Sequence, residues 1–274
     1  MNSVRRAVFF VSDGTGITAE TLGHALVAQF DIEQFSQTPL PFVDSPERVE
    51  EALQQINAAA DRGPRPIVFS TLIDRAARER LLGSNAMVMD LFGAFLEPLE
   101  HELGRQSAHA LRRAHAIADQ QQYHTRMEAV NFALQHDDGM TIRQYENADV
   151  ILTGVSRSGK TPTCIYLAMQ FGIKAANYPI TVDDLESDGL PNALRPHRLR
   201  LFGLTIEPEQ LCQIRSERRP NSRYASLTQC QMEVEETERL FRKHRVPYLD
   251  TTSVSVEEIS SKLLQTMGLE RQLY

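Results

Sequence analysis

The chain has 274 residues, 42% of them hydrophobic and 24% charged, with a formal net charge of −7. This is the composition of a folded protein of one large or two ordinary domains, and it excludes a disordered or fibrous chain. The acidic balance argues against a nucleic-acid or membrane surface, both of which favour a basic face. The three cysteines, Cys164, Cys212 and Cys230, contain no C-x-x-C pair, which argues against a disulfide framework or zinc site and makes the cytoplasm the expected compartment.

Val4 to Val11 reads as a first strand, because Ser12 and Asp13 end the apolar run too soon for a signal peptide and no later stretch reaches membrane-spanning length. A helix from Ile17 to Phe30 follows, then a strand from Phe35 to Val43, a helix from Pro46 to Ala60 and a strand from Ile67 to Ser70. Asp74 to Leu82 reads as helix, Ala86 to Asp90 as strand and Phe92 to Leu103 as helix despite Pro98. This alternation predicts an N-terminal α/β domain over residues 1–104 with a mainly parallel sheet. Residues 105–140 read as a helical connector that begins with the small, basic and histidine-bearing run after Gly104. It contains a helix from Tyr123 to Gln135, closed by the turn Asp137-Asp138-Gly139.

Residues 141–274 form the second predicted α/β domain. Val150 to Thr153 is its first strand, and Lys160 onward is a helix that stops at Gly172. Between them, Gly154-Val155-Ser156-Arg157-Ser158-Gly159-Lys160-Thr161 has the spacing of a P-loop. In such a loop glycines let successive N–H groups converge on phosphate oxygens, the helix N-terminus adds positive potential, Lys160 reaches the terminal phosphates and the Thr161 hydroxyl ligates Mg²⁺. Pro162 fits the first helical turn, which has no use for its missing N–H. The plain alternative is a glycine-containing turn with a surface lysine; the strand before and helix after argue for the motif. Further strands are predicted at Ile173 to Tyr178, Leu199 to Thr205 and Val246 to Leu249, with helices from Pro208 to about Arg218, from Leu227 to His244 and from Val256 to Met267, the last capped by Ser255. No internal repeat is visible.

A second glycine-rich turn, Gly14-Thr15-Gly16-Ile17-Thr18-Ala19, matches the relaxed dinucleotide pattern G-x-G-x-x-A. Asp13 would repel a pyrophosphate there and no acidic residue ends a second strand at the expected distance, so a structural turn and an anion contact remain open beside a nicotinamide site. A metal on the loop calls for a carboxylate at a strand end, for which Asp90, Asp183, Asp184 and Asp250 are candidates, each with a cap or turn role as its alternative. Arg215, Arg218, Arg219 and Arg223 form either an anion-binding face or a solvated helix end.

The stretches GVSRSGKTPTCIYLAMQFGIKAANYPITVDD, LRLFGLTIEPEQLCQIRSERRPNSRYAS, VEEISSKLLQTMGL and VSDGTGITAE together resemble the bacterial phosphoenolpyruvate synthase regulatory family over almost the whole chain. The resemblance implies a bifunctional enzyme: an ADP-dependent serine/threonine kinase that inactivates phosphoenolpyruvate synthase, and a phosphate-dependent pyrophosphorylase that reactivates it. It also implies a nucleotide site at Gly154 to Thr161 with ADP and inorganic phosphate as substrates; a bare P-loop would suggest a triphosphate. Gly159 beside Lys160, AMQFGIKAANYP and SERRPNSRYAS are closer to the synthase branch than to the sister regulators of pyruvate, phosphate dikinase. The alternatives are such a dikinase regulator, a P-loop small-molecule kinase, or a nicotinamide enzyme using Gly14 to Ala19. Lys160 is the expected phosphate-handling catalytic residue. Asp90, ahead of Asp13, is the expected proton acceptor, since both lie where parallel strands end and ligands gather. A homodimer is the candidate assembly.

Overall fold

The computed structural model describes residues 5–30, 35–107, 119–139, 141, 143–186 and 189–272. The chain divides into two compact units, Met1–Ala116 and Ile117–Tyr274.

In the first unit the elements run β1 (Arg6–Val11), α1 (Ile17–Val27), β2 (Phe35–Leu40), α2 (Pro46–Arg62), β3 (Ile67–Ser70), α3 (Arg75–Leu82), β4 (Met87–Asp90) and α4 (Leu91–Leu103). The strands pair in parallel in the order β2-β1-β3-β4. Alternate residues of β1 feed opposite faces, as the two-residue period of a strand requires. Phe9 and Val11 join Val49 and Ile56 of α2, whereas Val8 and Phe10 join Ala19 of α1 and Leu91 of α4. Pro41 follows β2, so the strand ends short of Val43.

The second unit contains α5 (Asp119–Gln135), β5 (Val150–Gly154), α6 (Lys160–Phe171), β6 (Ala175–Pro179), α7 (Val182–Leu185), β7 (Leu201–Thr205), α8 (Pro208–Arg218), α9 (Leu227–His244), β8 (Tyr248–Asp250) and α10 (Val256–Met267). Its sheet is also parallel, in the order β6-β5-β7-β8. In each unit the first and third strands are central and neighbouring, so the two sheets share one topology although the sequence shows no repeat.

The expected connector over 105–140 takes a different form. Ala129 and Ala133 of α5 are buried with Val150, Leu152, Leu167 and Phe171, so this helix is a wall of the second unit's core. Most of the seam itself, 108–118, lies outside the described residues. Among the described residues no helix is long and apolar enough to cross a membrane.

Candidate active site

β5 is buried at every residue and delivers the chain into the turn Val155 to Gly159 at its carboxyl end. Gly154 has φ 147°, and a Cβ there would stand 2.1 Å from the Leu204 carbonyl oxygen, so only glycine lets the turn leave the sheet this close to β7. Gly159, at φ 87°, is the N-cap of α6 and turns the chain into the helix with no side chain covering its first N–H groups. Arg157 also takes a left-handed conformation, φ 79°. Strand, glycine-bounded turn and uncapped helix start leave the first N–H groups of α6 without a side-chain cap, at the positive end of the helix.

The Lys160 side chain is 4% exposed and its Nζ donates to the Val155 carbonyl at 2.8 Å, so the ammonium is folded over the turn. Burial pulls its pKa down to about 8, and the nearby carboxylates of Asp138 and Asp137 oppose that shift. Ser158 is 1% exposed, and its Oγ has no hydrogen-bond partner among the described residues.

Asp137 and Asp138 were legible in the sequence only as a turn. They follow α5 in a short 3₁₀ segment, where Asp138 takes a left-handed φ of 47°. The His136 ring nitrogens lie 2.8 Å from the carbonyl oxygens of Phe132 and Arg143 and pin this segment. The Thr161 hydroxyl donates to Asp137 Oδ1 at 2.8 Å. Asn177 of β6, fully buried, donates from Nδ2 to the same oxygen at 2.6 Å, to Thr161 Oγ1 at 3.0 Å and to Asp138 Oδ1 at 3.3 Å. A hydroxyl and a carboxylate side by side are the oxygen donors that a hard divalent cation prefers, so Thr161 and Asp137 fit Mg²⁺.

The acidic candidates within the same unit have other tasks. Asp184 closes a capping box with Thr181 and accepts from the Tyr178 hydroxyl, and Asp250 accepts from the backbone and hydroxyl of Thr252. Asp183 is exposed in the first turn of α7.

The expected basic face does not include Arg215. Its side chain is 0% exposed, paired with Glu233 at 2.7 Å, and donates to the Ser156 carbonyl at 3.2 Å and the Tyr224 carbonyl at 3.1 Å. The Tyr224 hydroxyl meets Ser156 Oγ at 3.0 Å. Arg215 therefore clamps the turn from behind, while Arg218, Arg219 and Arg223 are exposed.

In the first unit, Asp13 and Asp90 both stand at the carboxyl edge of the sheet, where Val11, Ser70 and Asp90 are in register. Asp13 is 8% exposed and its Oδ2 accepts from the Ile73 N–H at 2.7 Å; burial pushes its carboxyl above the usual range. A cavity of about 370 Å³ opens beside it, walled by Val43, Asp44, Leu72, Asp74 and Arg80. Asp90 is the N-cap of α4, accepting from Gly93 N–H at 2.9 Å, and lies 3.5 Å from Arg78. Gly16 is the left-handed N-cap of α1, at φ 82°, and the Asp13 tie to Ile73 fixes the turn before it.

A parallel α/β unit whose glycine-bounded turn carries a folded-over lysine and a hydroxyl–carboxylate pair belongs among proteins that handle phosphoryl groups. The chain is a member of the kinase/pyrophosphorylase family, whose model matches residues 8–264, and that membership makes it a phosphotransfer enzyme. Among its relatives, a protein of Marinobacter nauticus is 52% identical over 98% of this chain and 99% of its own length. Proteins of Pseudomonas fluorescens and Alcanivorax borkumensis are each 53% identical, covering 98% of this chain and 99% and 100% of their own lengths. All three are named as phosphoenolpyruvate synthase regulatory proteins.

Proposed function

We propose that this enzyme regulates phosphoenolpyruvate synthase in the cytoplasm, phosphorylating a threonine of the synthase from ADP and removing that phosphate with inorganic phosphate. The observation that carries the reading is the Gly154 to Thr161 turn with Lys160 folded over it, in a chain whose relatives are named for synthase regulation. The choice of ADP over ATP, the threonine acceptor and a homodimeric assembly rest on the family resemblance.

In the kinase direction the threonine oxygen attacks the β-phosphorus of ADP, the bond from that phosphorus to the bridging oxygen breaks, and AMP leaves with the electron pair. The hydroxyl proton passes to a carboxylate. In the other direction a phosphate oxygen attacks the phosphothreonine phosphorus, the bond to the threonine oxygen breaks, pyrophosphate forms and the threonine regains a proton. Both tasks place a phosphoryl group against the backbone donors of Val155 to Thr161 and the Lys160 ammonium, which stabilise the charge on its oxygens. Thr161 would hold Mg²⁺, which would supply neutralisation of phosphate charge.

Asp13 is preferred over Asp90 as the proposed proton acceptor. Burial raises Asp13's carboxyl, the direction a general base at neutral pH needs, whereas Asp90 is engaged by a helix cap and Arg78. The test of the whole reading is ADP labelled at its β-phosphate, incubated with the enzyme and synthase. Label is expected on synthase threonine, and Lys160→Met is expected to lose both directions by a factor on the order of a thousand. Label on a small molecule, equal transfer from pure ATP, or a folded Lys160→Met with full activity would each remove this reading.

A further inference from the structure

We propose that Asp137 is the carboxylate that completes the divalent-cation site begun by Thr161, with Asn177 as the positioning residue that holds the two ligands in register. The inference rests on the reading of the loop as a nucleotide site and names a residue which that reading leaves unassigned.

The first ground is distance. Mg²⁺ binds oxygen at about 2.1 Å in near-octahedral geometry, so two neighbouring ligands stand about 3.0 Å apart. Thr161 Oγ1 and Asp137 Oδ1 are 2.8 Å apart before any cation enters. The hydrogen bond between them thus stands in for a shared ion, and metal entry needs only rotation of the hydroxyl proton and a shift of a few tenths of an ångström.

The second ground is the support behind the pair. Asn177 is 0% exposed and sits on β6, the strand next to β5, so its amide is fixed by the sheet. Its Nδ2 reaches both ligand oxygens, at 2.6 and 3.0 Å, and each would keep a lone pair for the ion. Two buried polar atoms at this place, Asn177 Oδ1 and Ser158 Oγ, have no partner among the described residues. Ser158 Oγ would lie 3.3 Å from a Cβ at Gly154, within the turn itself. Buried polar atoms of this kind are normally satisfied: the Ser158 hydroxyl, in the turn, can donate to a phosphate oxygen, and the Asn177 amide oxygen, on β6, can accept from a water of the bound ion.

The third ground is that, of the other candidates in the same unit, Asp184 and Asp250 are committed to a capping box and to Thr252, and Asp183 is exposed in the first turn of α7.

The experiment titrates Mn²⁺ in the presence of ADP into the full chain and follows the ion by its electron paramagnetic resonance, beside calorimetry with ADP alone. Asp137→Asn preserves size and hydrogen bonding while removing the charge. It is expected to weaken Mn²⁺ binding at least tenfold, with metal-free ADP affinity equal to wild type or tighter, since a negative charge beside the diphosphate is removed. Asn177→Ala is expected to weaken Mn²⁺ by about tenfold as well, through loss of position. Should Asp137→Asn fail to fold, Asp137→Glu serves, which keeps the charge but displaces it and is expected to weaken Mn²⁺ in the same direction. Wild-type Mn²⁺ affinity in a folded Asp137 variant overturns the assignment. Unchanged metal-free ADP binding in Lys160→Met would instead show that the nucleotide does not sit on this loop, and would overturn the functional reading along with the assignment.

Discussion

Asp13 shows how one side chain carries both a structural and a chemical load. Its carboxylate holds the Ile73 N–H and is buried beside a cavity, and burial raises its pKa above 3.8. A carboxyl raised in the folded state binds its proton more tightly there than in the unfolded chain. Its contribution to stability is therefore full below pH 3.8 and falls as pH rises through the raised value. Asp13→Asn keeps an acceptor for Ile73 and removes that loss. It is expected to unfold at equal or higher denaturant than wild type at pH 7, and to lose the advantage at pH 3. If Asp13 is also the proton acceptor, the same variant lowers threonine phosphorylation on the order of a hundredfold with ADP affinity unchanged. Normal turnover in a stabilised variant would leave Asp13 with the Ile73 tie alone.

At the scale of elements, the turn after β5 is held from several sides. Arg215 of α8 and Glu233 of α9 form a buried pair, the guanidinium also donates to the Ser156 and Tyr224 carbonyls, and Thr251 after β8 donates to the Ser158 carbonyl at 3.2 Å. Rigidity here matters because a phosphate cradle made of backbone donors works only if they are fixed before the ligand arrives. The two glycines bounding the turn are needed for different reasons. A Cβ at Gly154 would meet the Leu204 carbonyl at 2.1 Å, so Gly154→Ala must push β5 from β7. A Cβ at Gly159 meets nothing within 4 Å, and only its left-handed φ of 87° opposes alanine. Urea unfolding is expected to show a loss of about 3 kcal/mol or more for Gly154→Ala. For Gly159→Ala the expected loss is about 1 to 2 kcal/mol. The reverse order would mean that backbone strain, not contact, sets the glycine requirement.

The whole molecule is two parallel four-stranded sheets of one strand order, each with its own buried apolar clusters. Units that each carry their own core are expected to melt as separate cooperative transitions. Because ADP is proposed to sit in the second unit, it should raise only that unit's transition. At a hundredfold excess over Kd the gain is about 2.7 kcal/mol. For a unit of this size that corresponds to a shift of about 5 to 10 °C. Calorimetry with and without ADP checks this, and Gly154→Ala identifies which transition belongs to the second unit. A single transition, or an equal shift of both, would contradict it.

Local information explains what was legible in the sequence. The alternation of strands and helices, the Ser255 cap of α10 and the spacing from Gly154 to Thr161 all depend on residues a few positions apart, where dihedral preference and hydrophobic period decide the outcome. The family resemblance likewise lay in contiguous stretches. Contacts across the fold are a different matter. Asp137 reaches Thr161 from 24 residues upstream only because α5 packs on α6 and β6 brings Asn177 between them. The same packing draws α5 into the second unit's core. Arg215, read as surface charge, is buried because Glu233 lies 18 residues further on and folds back against it. Charge type and spacing along a chain do not reveal which carboxylate will neutralise which cation. That is decided by the order in which strands enter a sheet, and only the tertiary structure supplies it.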